Sequence, residues 1–179
     1  RDLPSRVEIS WSRPSSYGGA PPTYSVQSSV AGSDLWSDVS GCSDLGSRAT
    51  RCVWSDFSGG SEYEFRVKAS NSQGDSGWVS AGPVMAYTTP DVAGFVETVA
   101  LVPGNRELVA QWDAADWAGF ANGSDVVQVQ VRAVPERGRG QVCTASQRRG
   151  VLPDGCSVSR LTNDVSHVVE VRARNRAGW

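Results

Sequence analysis

The cysteines are the residues of this sequence whose side chains are best suited to chemistry. Zinc sites combine several Cys or His ligands, often in Cys-x-x-Cys pairs, but the chain has no such pair and only one histidine. In each half of the chain, the second cysteine lies five residues before a large apolar residue, Phe57 or Leu161. This placement favours two disulfides, Cys42–Cys52 and Cys143–Cys156, with zinc as the rival interpretation.

Other residue types that support catalysis or metal binding do not form a recognisable pattern. A Ser-His-Asp arrangement needs a histidine presented to a nucleophile, whereas the register of His167 points it toward the core. Asp113, Asp116 and Asp125 surround one loop, but their spacing matches no calcium motif, and calcium needs six to eight converging oxygens. We therefore expect no catalytic residue, no cofactor and no metal.

Composition narrows the choice of partner and compartment. The formal net charge is -2, which offers no basic field to nucleic acid. No apolar run approaches the roughly 20 residues that span a bilayer, so no direct membrane insertion is expected in this segment. Disulfides indicate an oxidising compartment, which places the chain outside cells or on a cell surface. Asn122 begins the sequon Asn-Gly-Ser and is the predicted glycosylation site.

The sequence contains a long internal repeat. Two landmarks recur after 101 residues, Trp11 as Trp112 and Cys42 as Cys143. Three more recur after 104 residues: Cys52 as Cys156, Asn71 as Asn175, and Gly74 as Gly178. A shared order of tryptophan, cysteine pair and terminal segment indicates tandem domains, which we place at residues 1–89 and 90–179.

The local pattern within each repeat is that of β-strands. Apolar and polar residues alternate through residues 7–11, 24–30 and 62–70, and again through residues 127–131 and 167–174. Turn residues separate these runs, and no stretch sustains helical spacing of its apolar residues. The fold class predicted from these elements is all-β, with two tandem antiparallel sandwiches.

These residues resemble the fibronectin type III domain. The resemblance covers essentially the whole chain and is strong in the first repeat, where six positions match: Trp11, Tyr24, Phe57, Tyr63, Asn71 and Gly74. In the second repeat, Val127 stands for Tyr24 and His167 for the corner tyrosine Tyr63. Relative to the family, the opening strand of the first domain is left with Arg1–Ser5 and the closing strand of the second is missing. Both ends are therefore expected to be truncated.

The resemblance also implies roles for single residues. The structural core is expected to contain Trp11, Tyr24, Trp54, Phe57, Tyr63, Trp112, Leu161 and His167. In this family, the loop that carries Trp117 and Phe120 lies at the pole facing the preceding domain. These rings are predicted to contact that domain and limit the hinge, the alternatives being packing on their own domain or a partner-binding hot spot. Trp78 is expected to stack over Arg66 or Lys68 in a cation–π ladder.

The predicted function is non-enzymatic. The domains are expected to be spacers and protein-interaction units of a longer adhesion protein or surface filament, with protein partners or self-assembly and contacts to other domains of the same chain. A ligand-binding receptor ectodomain is one alternative, and the accessory part of a secreted carbohydrate-active enzyme is another. An intracellular scaffold is the third, and it requires free thiols.

Overall fold

The structure is a computed structural model that describes residues 5–179. The chain divides into two compact units, Ser5–Ala86 and Tyr87–Trp179, whereas the predicted boundary falls between residues 89 and 90. Most of the expected opening strand lies in residues 1–4, outside the described residues. Each unit is built from antiparallel strands, as the alternating sequence pattern predicts.

The first unit is a sandwich of two antiparallel sheets. Its strands are β1 (Val7–Ser10), β2 (Thr23–Val30), β3 (Ser37–Asp38), β4 (Arg51–Trp54), β5 (Glu62–Asn71), β6 (Gly74–Asp75) and β7 (Val79–Met85). One sheet contains β1 and β4, and the other has the order β3-β2-β5, with β6 and β7 pairing with β5. Its core contains Val26, Trp54 and Phe65, which come from both sheets.

The second unit repeats this plan with three strands in each sheet. Its strands are β8 (Ala100–Gly104), β9 (Glu107–Gln111), β10 (Gln128–Pro135), β11 (Gln141–Ser146), β12 (Gly155–Ser159) and β13 (His167–Arg174). The sheets have the orders β12-β9-β8 and β11-β10-β13. Two short 3₁₀ helices, Phe95–Thr98 and Ala114–Gly119, lie outside the sheets. Within residues 5–179, no helix is both long and apolar enough to cross a bilayer.

The strand register corrects one correspondence between the repeats. Tyr24 pairs with Ala69 on β5, and Val129 pairs with Ala173 at the same place on β13. Val129 is therefore the counterpart of Tyr24 and is fully buried, whereas Val127 is 38% exposed and precedes β10. The prediction for Val127 was wrong because the segment after the second tryptophan is four residues longer than the one after the first, which places the counterpart of Tyr24 two residues beyond Val127.

Candidate functional site

Two of the residues considered for catalysis or metal binding, Asp113 and His167, form hydrogen bonds with the local backbone. Among the described residues, no three His, Cys, Asp or Glu side chains lie close enough to hold a metal ion. Asp113 accepts a hydrogen bond from the Ala115 amide at 2.8 Å and so caps the helix Ala114–Gly119. The Nδ1–H of His167 donates to the Val165 carbonyl at 2.8 Å. These hydrogen bonds account for both side chains without a substrate.

The residues expected in the core differ in how deeply they are buried. Tyr24, Trp54, Tyr63, Trp112 and Leu161 are buried, and burial raises the pKa of the Tyr24 hydroxyl. Trp11 and Phe57 are partly buried and pack against the first core. The Tyr63 hydroxyl donates to the Ser58 carbonyl and accepts from the Ser58 amide, which ties the turn before β5.

His167 departs from the expectation for the core. It is half-buried and does not belong to the buried cluster of the second unit. The physical reason is its position as the first residue of β13, where the strand leaves an exposed loop at the end of the sandwich. Its ring hydrogen-bonds to the backbone of Val165, two residues upstream, whereas Tyr63 reaches Ser58, five residues upstream, and His167 contributes less to the core than Tyr63 does.

Each unit contains one disulfide between its two sheets. Cys42 lies beside β2, where its carbonyl accepts from the Val26 amide, and it is bonded to Cys52 of β4. In the second unit, Cys143 of β11 is bonded to Cys156 of β12. The Cα–Cα distances are 5.8 and 5.9 Å, within the usual range for disulfides. Because each bridge crosses its sandwich, it joins the two sheets covalently within the core.

Removing a bridge is expected to destabilise its own unit. The change of Cys143 and Cys156 to alanine should lower the free energy of unfolding by roughly 3 kcal/mol, because the unfolded chain gains loop entropy. For a domain of this size, this corresponds to a fall of about 15 °C in Tm. The matched pair, Cys42→Ala with Cys52→Ala, should have an effect of similar size on the first unit. Calorimetry of the full chain measures both, and a loss below about 1 kcal/mol would show that the bridges carry little of the stability.

A cation–π ladder lies on the outer face of the first unit. The Arg66 guanidinium carbon lies 4.4 Å from the ring centroid of Trp78 and 4.3 Å from that of Trp36. Lys68 Nζ lies 5.3 Å from the Trp78 centroid and 2.5 Å from a carboxylate oxygen of Asp75. The hydrogen bond from Lys68, with one from Ser70, lowers the pKa of the Asp75 carboxyl. The ladder joins β5 to the segments before β3 and β7.

The sequence did not indicate two members of this ladder. Trp36 reaches Arg66 because β3 pairs with β2 over two residues, a register that no sequence pattern fixes. The Gln27 side-chain oxygen accepts from Arg66 Nε at 2.9 Å and from Nη2 at 2.5 Å. The second unit contains a similar group, in which Arg172 donates to Gln130 at 2.8 and 2.6 Å and lies 4.3 Å from the Trp179 ring. The alternation of apolar and polar residues along β2 and β10 predicts that both glutamines face outward. This alternation was the available signal for their part in the two groups.

The ladder predicts a measurable effect of one arginine. Arg66→Met keeps most of the apolar stem but removes the cation, and it should lower the free energy of unfolding by about 1–2 kcal/mol. Arg51→Met is the control, because its ion pair with Glu8 is 3.8 Å long and exposed, and such pairs contribute about 0.5 kcal/mol. Urea unfolding measures both changes. Equal losses for the two variants would show that the ladder adds nothing beyond a surface ion pair.

The rings of Trp117 and Phe120 pack within the second unit. Trp117 is 3% exposed and stacks on Phe95 with ring centroids 3.4 Å apart. Phe120 lies edge-on to Phe95 at 5.9 Å. Packing onto their own domain, one of the three alternatives, therefore accounts for the positions of both rings. A contact with the other domain or with a partner stays a prediction. Phe95 itself was missed, because an isolated aromatic outside any strand pattern carries no signal.

One asparagine holds the loop that follows Trp11, and another holds the loop that follows Trp112. Asn71 Nδ2 donates to the carbonyls of Tyr17 and Ala20 at 2.6 and 3.0 Å. Asn175 Nδ2 donates to the Ala121 carbonyl at 2.8 Å, and its side chain is buried. Each asparagine therefore fixes the shape of its loop as well as the turn that it begins.

Asn122, the sequon residue, is half-buried in that loop. Its Nδ2 donates to the Thr89 carbonyl at 2.9 Å. A glycan would be attached to the same nitrogen, which would retain one hydrogen for this bond. Glycosylation of Asn122 therefore stays a prediction, and it requires that the loop keep this hydrogen bond or open locally.

Comparison with protein families agrees with this geometry. The model of the fibronectin type III domain matches residues 2–82. The match covers nearly the whole first unit, and the chain consists of two tandem antiparallel sandwiches. Domains of this family are generally non-catalytic and generally take part in protein–protein interactions.

Three of the solved structures that match this chain come from chicken proteins. The FN1–FN3 domains of CNTN1 are 20% identical with a TM-score of 0.42, and the match covers 98% of this chain and 56% of that one. The alpha chain of the interferon gamma receptor is 15% identical with a TM-score of 0.42, covering 99% and 88%. A two-domain segment of tenascin is 14% identical with a TM-score of 0.43, covering 97% and 86%. At these scores, the likenesses say nothing about what this chain binds. Among curated proteins, none matches.

Proposed function

We propose that this chain is a non-enzymatic spacer and protein-interaction segment of an extracellular or cell-surface protein. The observation that carries the proposal is the disulfide between the two sheets of each sandwich. Such bonds persist in oxidising compartments and are rare in the cytosol. Because a disulfide joins the two sheets of each unit, the whole segment is suited to an environment that lacks chaperones and reducing agents.

The architecture supports a structural role. A rigid sandwich with a bridged core keeps its dimensions, and a short connection limits how freely two such units rotate. The longer protein would gain a spacer of defined length, on which exposed faces are presented to protein partners. The family whose model matches residues 2–82 is consistent with this role.

Peptide mapping of the chain from its native source tests the proposal. Free thiols are blocked before lysis, and the digest is analysed by mass spectrometry without reduction. We expect peptides that contain Cys42–Cys52 and Cys143–Cys156, and the same digest reports any glycan on Asn122. Blocked free thiols at all four cysteines would contradict the proposal and would make an intracellular scaffold the better interpretation.

A further inference from the structure

The outer face of the sheet β11-β10-β13 is rich in arginine. Three arginines lie on this face: Arg132 of β10, and Arg172 and Arg174 of β13. Their positions alternate along each strand with residues that point into the core. Four more arginines, all exposed, lie in the turns at the two ends of β11. We call the seven residues the arginine face: Arg132, Arg137, Arg139, Arg148, Arg149, Arg172 and Arg174.

Few acidic residues balance this charge. Glu170 lies on the same face and pairs with Arg132 at 3.0 Å. Glu136 belongs to the turn after β10, and Asp125 shares a shallow concavity with Arg174 near the start of β10. Between the cations stand uncharged Gln128, Gln130, Thr144 and Ser146, which face outward in register. Seven arginines against three carboxylates leave a positive face on a chain whose net charge is negative.

Exposed valines border the same face. Val142 pairs with Arg132, and Val134 pairs with Val168, so that all three valines are on the outer side. Val142 is 50% exposed and Val168 is 68% exposed. The face therefore offers apolar contacts next to the guanidinium groups.

The corresponding face of the first unit lacks this character. Its outward positions include Glu64 and Asp38 as well as Arg66 and Lys68. Lys68 pairs with Asp75, and Arg66 is held by a glutamine and tryptophan rings much as Arg172 is, so the two faces differ in the number of their cations. The arginine face is thus a property of the second unit and not of the fold that the two units share.

We propose that the arginine face binds an acidic polypeptide segment that carries apolar side chains among its carboxylates. Guanidinium groups match carboxylates in geometry and form paired hydrogen bonds with them. The valines favour a polypeptide over a sulfated polysaccharide, because only the polypeptide brings apolar side chains to them. This inference rests on the proposed role in protein interaction and names the partner class.

Binding of a labelled peptide to the full chain tests this inference. The probe consists of four repeats of Glu-Glu-Val-Glu, and its affinity is measured by fluorescence anisotropy. Arg148→Glu with Arg172→Glu should weaken binding by about tenfold or more. Arg106→Glu with Arg160→Glu is the control, because it makes the same charge change at exposed arginines beside the sheet β12-β9-β8 and should have an effect of less than about twofold. Thermal unfolding verifies that each variant is folded.

Two further measurements separate the outcomes. Val142→Ser with Val168→Ser should weaken the peptide by about threefold or more without changing the charge. Dextran sulfate serves as the competing probe, and binding of dextran sulfate without binding of the peptide would overturn the inference in favour of a sulfated polysaccharide. Equal losses from the two charge reversals, or no peptide binding, would also overturn it. Such failures leave the disulfide mapping untouched, and only free thiols in that experiment would contradict the proposed function.

Discussion

Replacement of Trp117 by alanine is expected to lower the free energy of unfolding of the second unit by about 3–5 kcal/mol. The indole is almost fully buried and stacks on Phe95, which is itself inaccessible to solvent. Its removal would leave a cavity bordered by Phe95 and the buried core around Trp112, and a core of strands cannot collapse fully around a gap of this size. Calorimetry of the full chain should show the loss as a shift of one unfolding transition.

A second variant gives this prediction its control. The Trp117 indole nitrogen is buried and has no hydrogen-bond partner among residues 5–179. Trp117→Phe keeps much of the ring and removes the unsatisfied N–H, so we expect a loss of only about 1–2 kcal/mol. If Trp117→Ala leaves the transition unchanged, the ring does not contribute to the stability of this core, and the predicted contact outside the unit becomes the better explanation of the ring.

Replacement of Trp54 by alanine should have an effect of the same size on the first unit. Trp54 contacts three aromatic rings, with centroid distances of 5.1 Å to Phe57, 4.9 Å to Tyr63 and 5.6 Å to Phe65. The change would remove the centre of this cluster, at an expected cost of about 3–5 kcal/mol. We expect it to move the calorimetric transition that Trp117→Ala leaves in place.

The neighbouring residue provides the comparison for Trp54. Val53 lies on the same strand but faces outward and is 45% exposed. Val53→Ala should therefore change the free energy of unfolding by no more than about 0.5 kcal/mol. A loss as large as that of Trp54→Ala would mean that strand formation in β4, and not the aromatic cluster, determines the stability.

The sequence predicts those parts of the fold that repeat. The disulfides could be inferred because one pair of cysteines occurs in each repeat at nearly the same offset. The strands could be inferred because residues 62–70 alternate without interruption. The counterpart of Tyr24 could not, since an insertion in an irregular loop changes the register and leaves the alternation of β10 intact.

Contacts between segments that are distant in the sequence were harder to predict than the secondary-structure elements themselves. Trp78 was expected over Arg66, because the two strands are neighbours in the chain. Trp36 and Gln27 reach the same guanidinium only through the pairing of β3 with β2 and of β2 with β5. Phe95 and Trp117 belong to 3₁₀ helices. The period-two alternation that identifies strands does not predict which residues of such a helix are buried. The packing of these residues depends on how a loop closes over a core.

The disulfides also limit how far the chain can be drawn out. The chain between Cys42 and Cys52 cannot extend while the bond is intact, since its ends stay 5.8 Å apart. Ten residues at full extension would span about 35 Å, so the bond withholds about 30 Å of contour length from the first unit. In the second unit the sequence separation is 13, and the withheld length is about 40 Å. The redox state of the surroundings therefore sets the maximum reach of the segment as well as its stability.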